Sequence, residues 1–130
     1  MDTEELIRQI IGAAIAVHKD LGPGYLESVY ETALTVELDR MGLRYERQKV
    51  VPIRFRDIIV GEHRLNLVVE GKVIVENKAV LSLDKIFFVI VRSYLKAANL
   101  KDALLLNFAA MPLTIKRVGS EDTQRYLAHD

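Results

Sequence analysis

Cysteine is absent from this 130-residue chain, which excludes disulfides, thiolate metal ligands and a cysteine nucleophile. Net charge is absent too, since 18 Lys and Arg balance 18 Asp and Glu. No global field therefore draws the chain to nucleic acid, and any phosphate contact must come from a local patch. Long apolar runs are missing as well. The longest unbroken one, from Ile86 to Val91, falls far short of the roughly 20 residues that span a bilayer, so no membrane association is expected. The opening MDTEELIRQ is acidic and polar where a secretory signal would be basic and then apolar. With the missing cysteines, this leads us to expect a cytoplasmic protein. Repeats and low-complexity tracts are also lacking, and residues 1–130 read as one domain.

What is present suffices for a core. Half the residues are hydrophobic and 28% are charged, the balance of a globular chain rather than a disordered one. Leu6, Ile7, Ile10, Ile11, Ala14, Val17 and Leu21 recur at three- and four-residue spacing, which predicts a helix over residues 3–21 with Thr3 as its N-cap. His18 lies on the edge of that stripe, where a structural histidine is expected before a ligand. LGPG at residues 21–24 ends the helix. A second helix is expected over 25–41, its stripe formed by Leu26, Val29, Tyr30, Ala33, Leu34, Leu38 and Met41. Glu27 sits in its first turn, where the helix dipole favours a carboxylate. Glu37 projects from mid-stripe, and a structural ion pair is expected for it.

Residues 43–56 read as a long strand that Pro52 confines to an edge or a bulge. Arg44, Arg47, Lys49, Arg54 and Arg56 with Tyr45 and Phe55 make it the most basic region. It could touch a nucleic-acid backbone, or simply present alternating charge to solvent. Two further strands follow, joined at Glu70-Gly71-Lys72. In the first, His63, Leu65, Leu67 and Val69 are expected on one face, with Arg64, Asn66 and Val68 on the other. The second, residues 73–78, ends in Glu76 and Lys78, which leave the same face two positions apart. A carboxylate and an ammonium ending an apolar strand cost desolvation that a core strand has little reason to bear. Either they form a solvated pair at a strand end, or they belong to a metal-and-lysine site.

A third helix is predicted over 83–99. Between Ile86 and Val91 it is apolar all round, so it is either deeply buried or meets another chain. Residues 103–108 read as a strand covered on both faces, residues 111–118 as a fifth strand, and 121–129 as a short helix or tail. The order is α-α-β-β-β-α-β(-β), an α/β fold (α+β with a mixed sheet).

Several landmarks coincide in this order. Gly24-x-x-Glu27-x-x-Tyr30 follows LGPG, one strand carries Arg64-Leu65-Asn66, and the next carries Glu76-Asn77-Lys78. Tyr94-Leu95-Lys96 and the run LLLNF at 104–108 come after them. Over about residues 4–118 the chain resembles the GxxExxY protein family, a branch of the PD-(D/E)xK nuclease-like superfamily. The resemblance implies a restriction-endonuclease-like core and a Mg²⁺- or Mn²⁺-dependent phosphodiesterase. By position it makes Glu76 a metal ligand, Lys78 the cation that positions the attacking water, and Glu27 an accessory carboxylate. Hard Mg²⁺ suits carboxylate oxygens, and it would lower the pKa of bound water and neutralise phosphate charge.

The chain departs from the family at three positions. Asn66 stands where the resemblance implies a metal-binding Asp; the amide keeps an acceptor oxygen but carries no charge. Glu62 and Glu70 share its face, but each lies four residues off, about 13 Å along a strand. Phe87 and Ile90 align where polar His and Gln are usual. Three such losses in one neighbourhood lead us to expect an incomplete catalytic set and little or no nuclease activity. The alternatives are an active Mg²⁺- or Mn²⁺-dependent nuclease with Asn66 as a neutral ligand, and a homodimeric scaffold associating through the helix spanning Ile86 to Val91.

Overall fold

In the computed structural model, which describes residues 1–120, eight elements form three layers. They are α1 (Thr3–Leu21), α2 (Glu27–Arg40), β1 (Tyr45–Phe55), β2 (Ile58–Val69), β3 (Val73–Lys78), α3 (Lys85–Ala98), β4 (Asp102–Asn107) and β5 (Thr114–Gly119). The expected tail at 121–129 lies outside the described residues. The sheet runs in chain order, β1-β2-β3-β4-β5. Only β3 and β4 are parallel, joined through α3 as the crossover, and the other neighbours are antiparallel.

Helices α1 and α2 cover one face of this mixed sheet. Leu6, Ile10, Leu34 and Leu38 pack there with Leu67, Val69, Val75, Leu104 and Leu106. Helix α3 covers the other face, where Val91 and Leu95 meet Val51, Leu65, Val68, Ile74 and Leu105. Strands β3 and β4 are therefore buried on both faces, which is why their sequences read as unbroken apolar runs. Each fully buried Leu or Val contributes about 1.5–3 kcal/mol of transfer free energy. Pro52 sits in the edge strand β1, as its missing donor requires.

Local expectations are corrected in α1, α2 and β2, and one of the two alternatives for α3 is removed. The N-cap of α1 is Asp2, whose carboxylate accepts the Glu5 N–H at 2.8 Å, and Thr3 is already helical. Helix α2 begins at Glu27 because residues 22–25 are held in another shape. Gly24 has φ +115°, and the Tyr30 hydroxyl donates to the Gly22 carbonyl at 2.5 Å and accepts the Tyr25 N–H at 3.2 Å. Stacking of Tyr30 on Phe108, centroids 4.4 Å apart, also sets the rotation of α2. Its buried face is Tyr30, Glu31, Leu34, Thr35 and Leu38, whereas Leu26, Val29 and Met41 are exposed.

Strand β2 does not alternate as expected. Leu65 and Val68 face α3, and Leu67 and Val69 face the α1–α2 layer, so the pleat slips by one residue near Asn66. Opposite the slip, Gln48 of β1 takes a left-handed φ of 50°. Lastly, α3 is not deeply buried between residues 86 and 91: Val91 is buried, while Ile86 and Val89 are exposed.

The Tyr30 hydroxyl gives a direct check on this architecture. Tyr30→Phe keeps the stacked ring and removes two hydrogen bonds from a fully buried site, so it should cost about 1–2 kcal/mol in urea unfolding. Tyr30→Ala should cost about 3–5 kcal/mol. A Phe variant as stable as the parent would show that the hydroxyl does not hold the 22–25 segment.

Candidate active site

Strand β3 delivers Glu76 and Lys78 to its C-terminal end, on the face that α3 covers. Glu76 is 4% exposed, and its Oε2 lies 3.9 Å from Lys78 Nζ. That is an ion pair beyond hydrogen-bond reach. The Lys78 ammonium also lies 5.0 Å from the centroid of the Phe87 ring, a cation–π distance. Burial pushes the Glu76 carboxyl from its ordinary 4.5 up to about 7; Lys78 and the Asn66 N–H oppose that rise, and the Glu27 and Glu31 carboxylates add to it. Both sequence-predicted groups thus meet, in a dry environment that disfavours the charged carboxylate.

Asn66 is used by the backbone. The β2–β3 ladder stops at Leu67↔Val75. Past that pair Asn66 Oδ1 accepts the Asn77 N–H at 2.9 Å, and the Asn66 N–H points at Glu76 Oε1 from 3.4 Å. The side chain thereby supplies the acceptor that a parted neighbour strand no longer offers. Glu27 is likewise committed. It opens α2, is exposed, and its Oε2 accepts the Ala79 N–H at 3.0 Å just beyond β3. Gly24 and Tyr30, its companions in the motif, shape and pin the preceding loop. Ile90 is half-buried on α3, and its carbonyl accepts the Ser93 hydroxyl.

Three polar groups were not anticipated. Glu31 is 5% exposed and is fully engaged: Oε2 accepts Arg47 Nε and Nη2 at 3.2 and 3.1 Å, and Oε1 accepts Gln48 Nε2 at 2.7 Å. Its signal was available, because it lies one turn beyond Glu27 on the same helix face. Tyr94 of α3 is half-buried, and burial, reinforced by the nearby Glu76, raises its hydroxyl pKa. His63 stands edge-on to Tyr94 at 4.7 Å with Nε2 3.2 Å from Ser93 Oγ; its own pKa is lowered by burial. Two sequence readings hold. His18 is a buried structural histidine bonded to the Ala110 carbonyl at 2.8 Å, and Glu37 pairs with Arg40 at 3.6 Å.

Each candidate metal-binding side chain already has a partner among the described residues. The Asn66 oxygen and one Glu27 oxygen each hold a backbone N–H, Glu76 has an ammonium beside it, and Glu31 is saturated by Arg47 and Gln48. Among the described residues no three His, Asp or Glu side chains converge as a metal group. The buried Asn77 amide, whose O and N lack a partner among the described residues, follows Val75 onto the opposite face by strand alternation and cannot complete the set.

No helix among the described residues is long and apolar enough to cross a membrane. Comparison with curated proteins and with solved structures gave no match. The family model of the PD-(D/E)XK nuclease superfamily matches residues 4–118, from the first turn of α1 into β5. That span takes in the whole restriction-endonuclease-like arrangement, with its mixed sheet and parallel β3–β4 pair. Nucleases of this superfamily generally use Mg²⁺ or Mn²⁺. On a match of that extent, the chain belongs to the PD-(D/E)XK nuclease superfamily.

Proposed function

We propose that the chain is a GxxExxY-type member of this superfamily with an incomplete hydrolytic set, and that it cleaves phosphodiesters weakly or not at all. The observation that carries this reading is the Asn66 amide. Its single acceptor oxygen serves the Asn77 N–H, at the position where the resemblance implies a charged metal ligand. Mg²⁺ is usually held by only one or two protein carboxylates, so the loss of one leaves Glu76, beside a lysine, with only Glu27, whose Oε2 already accepts the Ala79 N–H. Phe87 adds to this, since its ring covers the ammonium that would otherwise position water. A nucleic-acid contact, if the fold retains one, falls to Arg44, just before β1, and Arg64 of β2, because Arg47 is already tied to Glu31 and Lys49 to Glu46. The rival reading, an active Mg²⁺- or Mn²⁺-dependent phosphodiesterase, is favoured by one feature: Glu76 and Lys78 persist on one face at the family's spacing.

Metal binding separates the two readings without relying on turnover. A cation present at 100 times its Kd stabilises a fold by about 2.7 kcal/mol. Millimolar Mn²⁺ should leave the melting temperature of the parent chain unchanged, and fluorescent single-stranded, duplex and RNA substrates should stay intact. Cleavage that disappears in Glu76→Ala would establish the rival. In EDTA, Asn66→Asp should destabilise the fold by about 1–3 kcal/mol, because it puts a second carboxylate beside a buried one.

The pH dependence of stability has a definite sign. Between about pH 4.5 and 7, native Glu76 retains a proton that the unfolded chain has released. Stability should therefore fall as pH rises through that window and level off above it, by about 3 kcal/mol in all. Glu76→Gln should remove most of this slope in denaturant titrations at pH 5 and pH 8. A metal-binding carboxylate would do the reverse in the presence of Mn²⁺, gaining stability as pH rises.

A further inference from the structure

The β1–β2 hairpin outgrows the domain. Val51 and His63 form the last cross-strand pair that the body holds, Val51 buried in the α3-side cluster and His63 against Tyr94 and Ser93. Beyond them residues 54–62 are all exposed, yet strand pairing continues to Phe55↔Ile58. Arg56 and Asp57, with φ of 50° and 65°, close the tip in the left-handed two-residue turn that suits a twisted ribbon. The result is a preformed arm that projects about 15 Å.

Its surface is wrong for solvent. Phe55, Ile58, Ile59 and Val60 are 58–65% exposed. They occupy both faces: Phe55 follows Val51 and Ile53 on the α3 side with Ile58 opposite it, whereas Ile59 pairs with Arg54 on the other. The α3-side face is continued by the helix itself. From the His63–Ser93 contact, β2 runs back towards the tip and α3 runs back towards its N-terminus, both to the Lys78 end of the sheet. Exposed Ile86 and Val89 lie along that stretch of α3.

Charge and area together select the occupant. Arg54 and Arg56 are cancelled within the arm by Asp57 and Glu62. A phosphate backbone calls for unbalanced positive charge, so nucleic acid is a poor fit. The same charges are self-complementary. Two arms laid antiparallel about a two-fold axis bring each tip, Arg56 with Asp57, towards the other's root Glu62, with apolar residues between. Such a pair would take from water the side chains of Phe55, Ile58, Ile59, Val60, Ile86 and Val89, each 40–65% exposed, towards the roughly 800 Å² per partner of a standard interface. We propose that residues 54–62 are a dimerisation arm, clasped by the arm and the exposed α3 face of a second copy of this chain. The interface is isologous, as two-fold dimers require.

Light scattering after size exclusion, from about 1 to 200 µM, tests this, since it reads Kd values in the micromolar range. The full chain should approach twice 14.8 kDa as concentration rises. Phe55→Ser with Ile58→Ser should weaken association about 30-fold or more while leaving unchanged the far-UV circular dichroism, and the melting at dilutions where the parent is a monomer, because neither side chain enters the core. A mass of one chain at the highest concentration overturns the proposal. So does a doubled mass that survives in the arm variant and is lost in Ile86→Ser with Val89→Ser, which places the interface on α3 alone. A single-chain mass together with binding of a labelled DNA duplex that the arm variant abolishes gives the arm to nucleic acid and overturns it equally.

Discussion

A buried strand cannot leave its N–H groups without acceptors, and at the point where β2 and β3 part it is the Asn66 side chain that supplies one. The rest of the candidate site follows from this bond. It holds the end of β3 beside β2 after the backbone ladder has stopped, and so it keeps Glu76 inside. It does this with a neutral group, next to a carboxyl that burial has already moved to about 7. An aspartate in the same place would set a second negative charge against the first, and only a cation between them would make the arrangement favourable. An amide at 66 and a Glu76 carboxyl raised to about 7 are therefore two parts of one electrostatic arrangement, in which position 66 adds no second negative charge. Lys78 fits the same arrangement, since it has Glu76 on one side and the Phe87 ring on the other.

Elements whose determinants are local were legible in the sequence. The limits of α1 and β3 follow from a periodic stripe and from an unbroken apolar run between turn residues. The edge position of β1 follows from Pro52, and the double burial of β4 from its lack of any polar face. Features set by distant partners were not legible. The rotation of α2 depends on Tyr30 stacking on Phe108, 78 positions along the chain, and the helix accordingly buries Tyr30, Leu34 and Leu38 of its apolar stripe while leaving Val29 outside. The pleat slip in β2 depends on Gln48 in another strand. Local alternation carries no trace of it.

The candidate site divides in the same way. Glu76 and Lys78 stand out because charges at the end of an apolar strand need a reason; Glu76 is buried there and Lys78 half-buried. In the linear pattern Glu37, not Glu31, is the acid inside the apolar stripe. With the helix turned, Glu37 reaches Arg40 near the surface, and Glu31 is the acid that must be satisfied, by Arg47 and Gln48. Those partners belong to the basic strand that had suggested phosphate contact. Part of its charge is spent inside the molecule.

The Gly24, Glu27 and Tyr30 spacing has a mechanical account that does not require hydrolysis. Gly24 permits a backbone turn that a side chain would strain. Tyr30 returns across that turn to bond Gly22 and Tyr25, and its ring packs on Phe108, immediately after β4. Glu27 reaches the N–H of Ala79, immediately after β3. The three residues thus bind one loop and the first turn of α2 to the ends of the two parallel strands, which is where the site of this fold is presented. Asn107 strengthens the same corner by bonding both the N–H and the carbonyl of Val80. Loss of metal chemistry at Asn66 would leave every one of these contacts in place. The physics that keeps the motif is that of a strand-end latch, and it is separable from the physics that would make the strand end a catalyst.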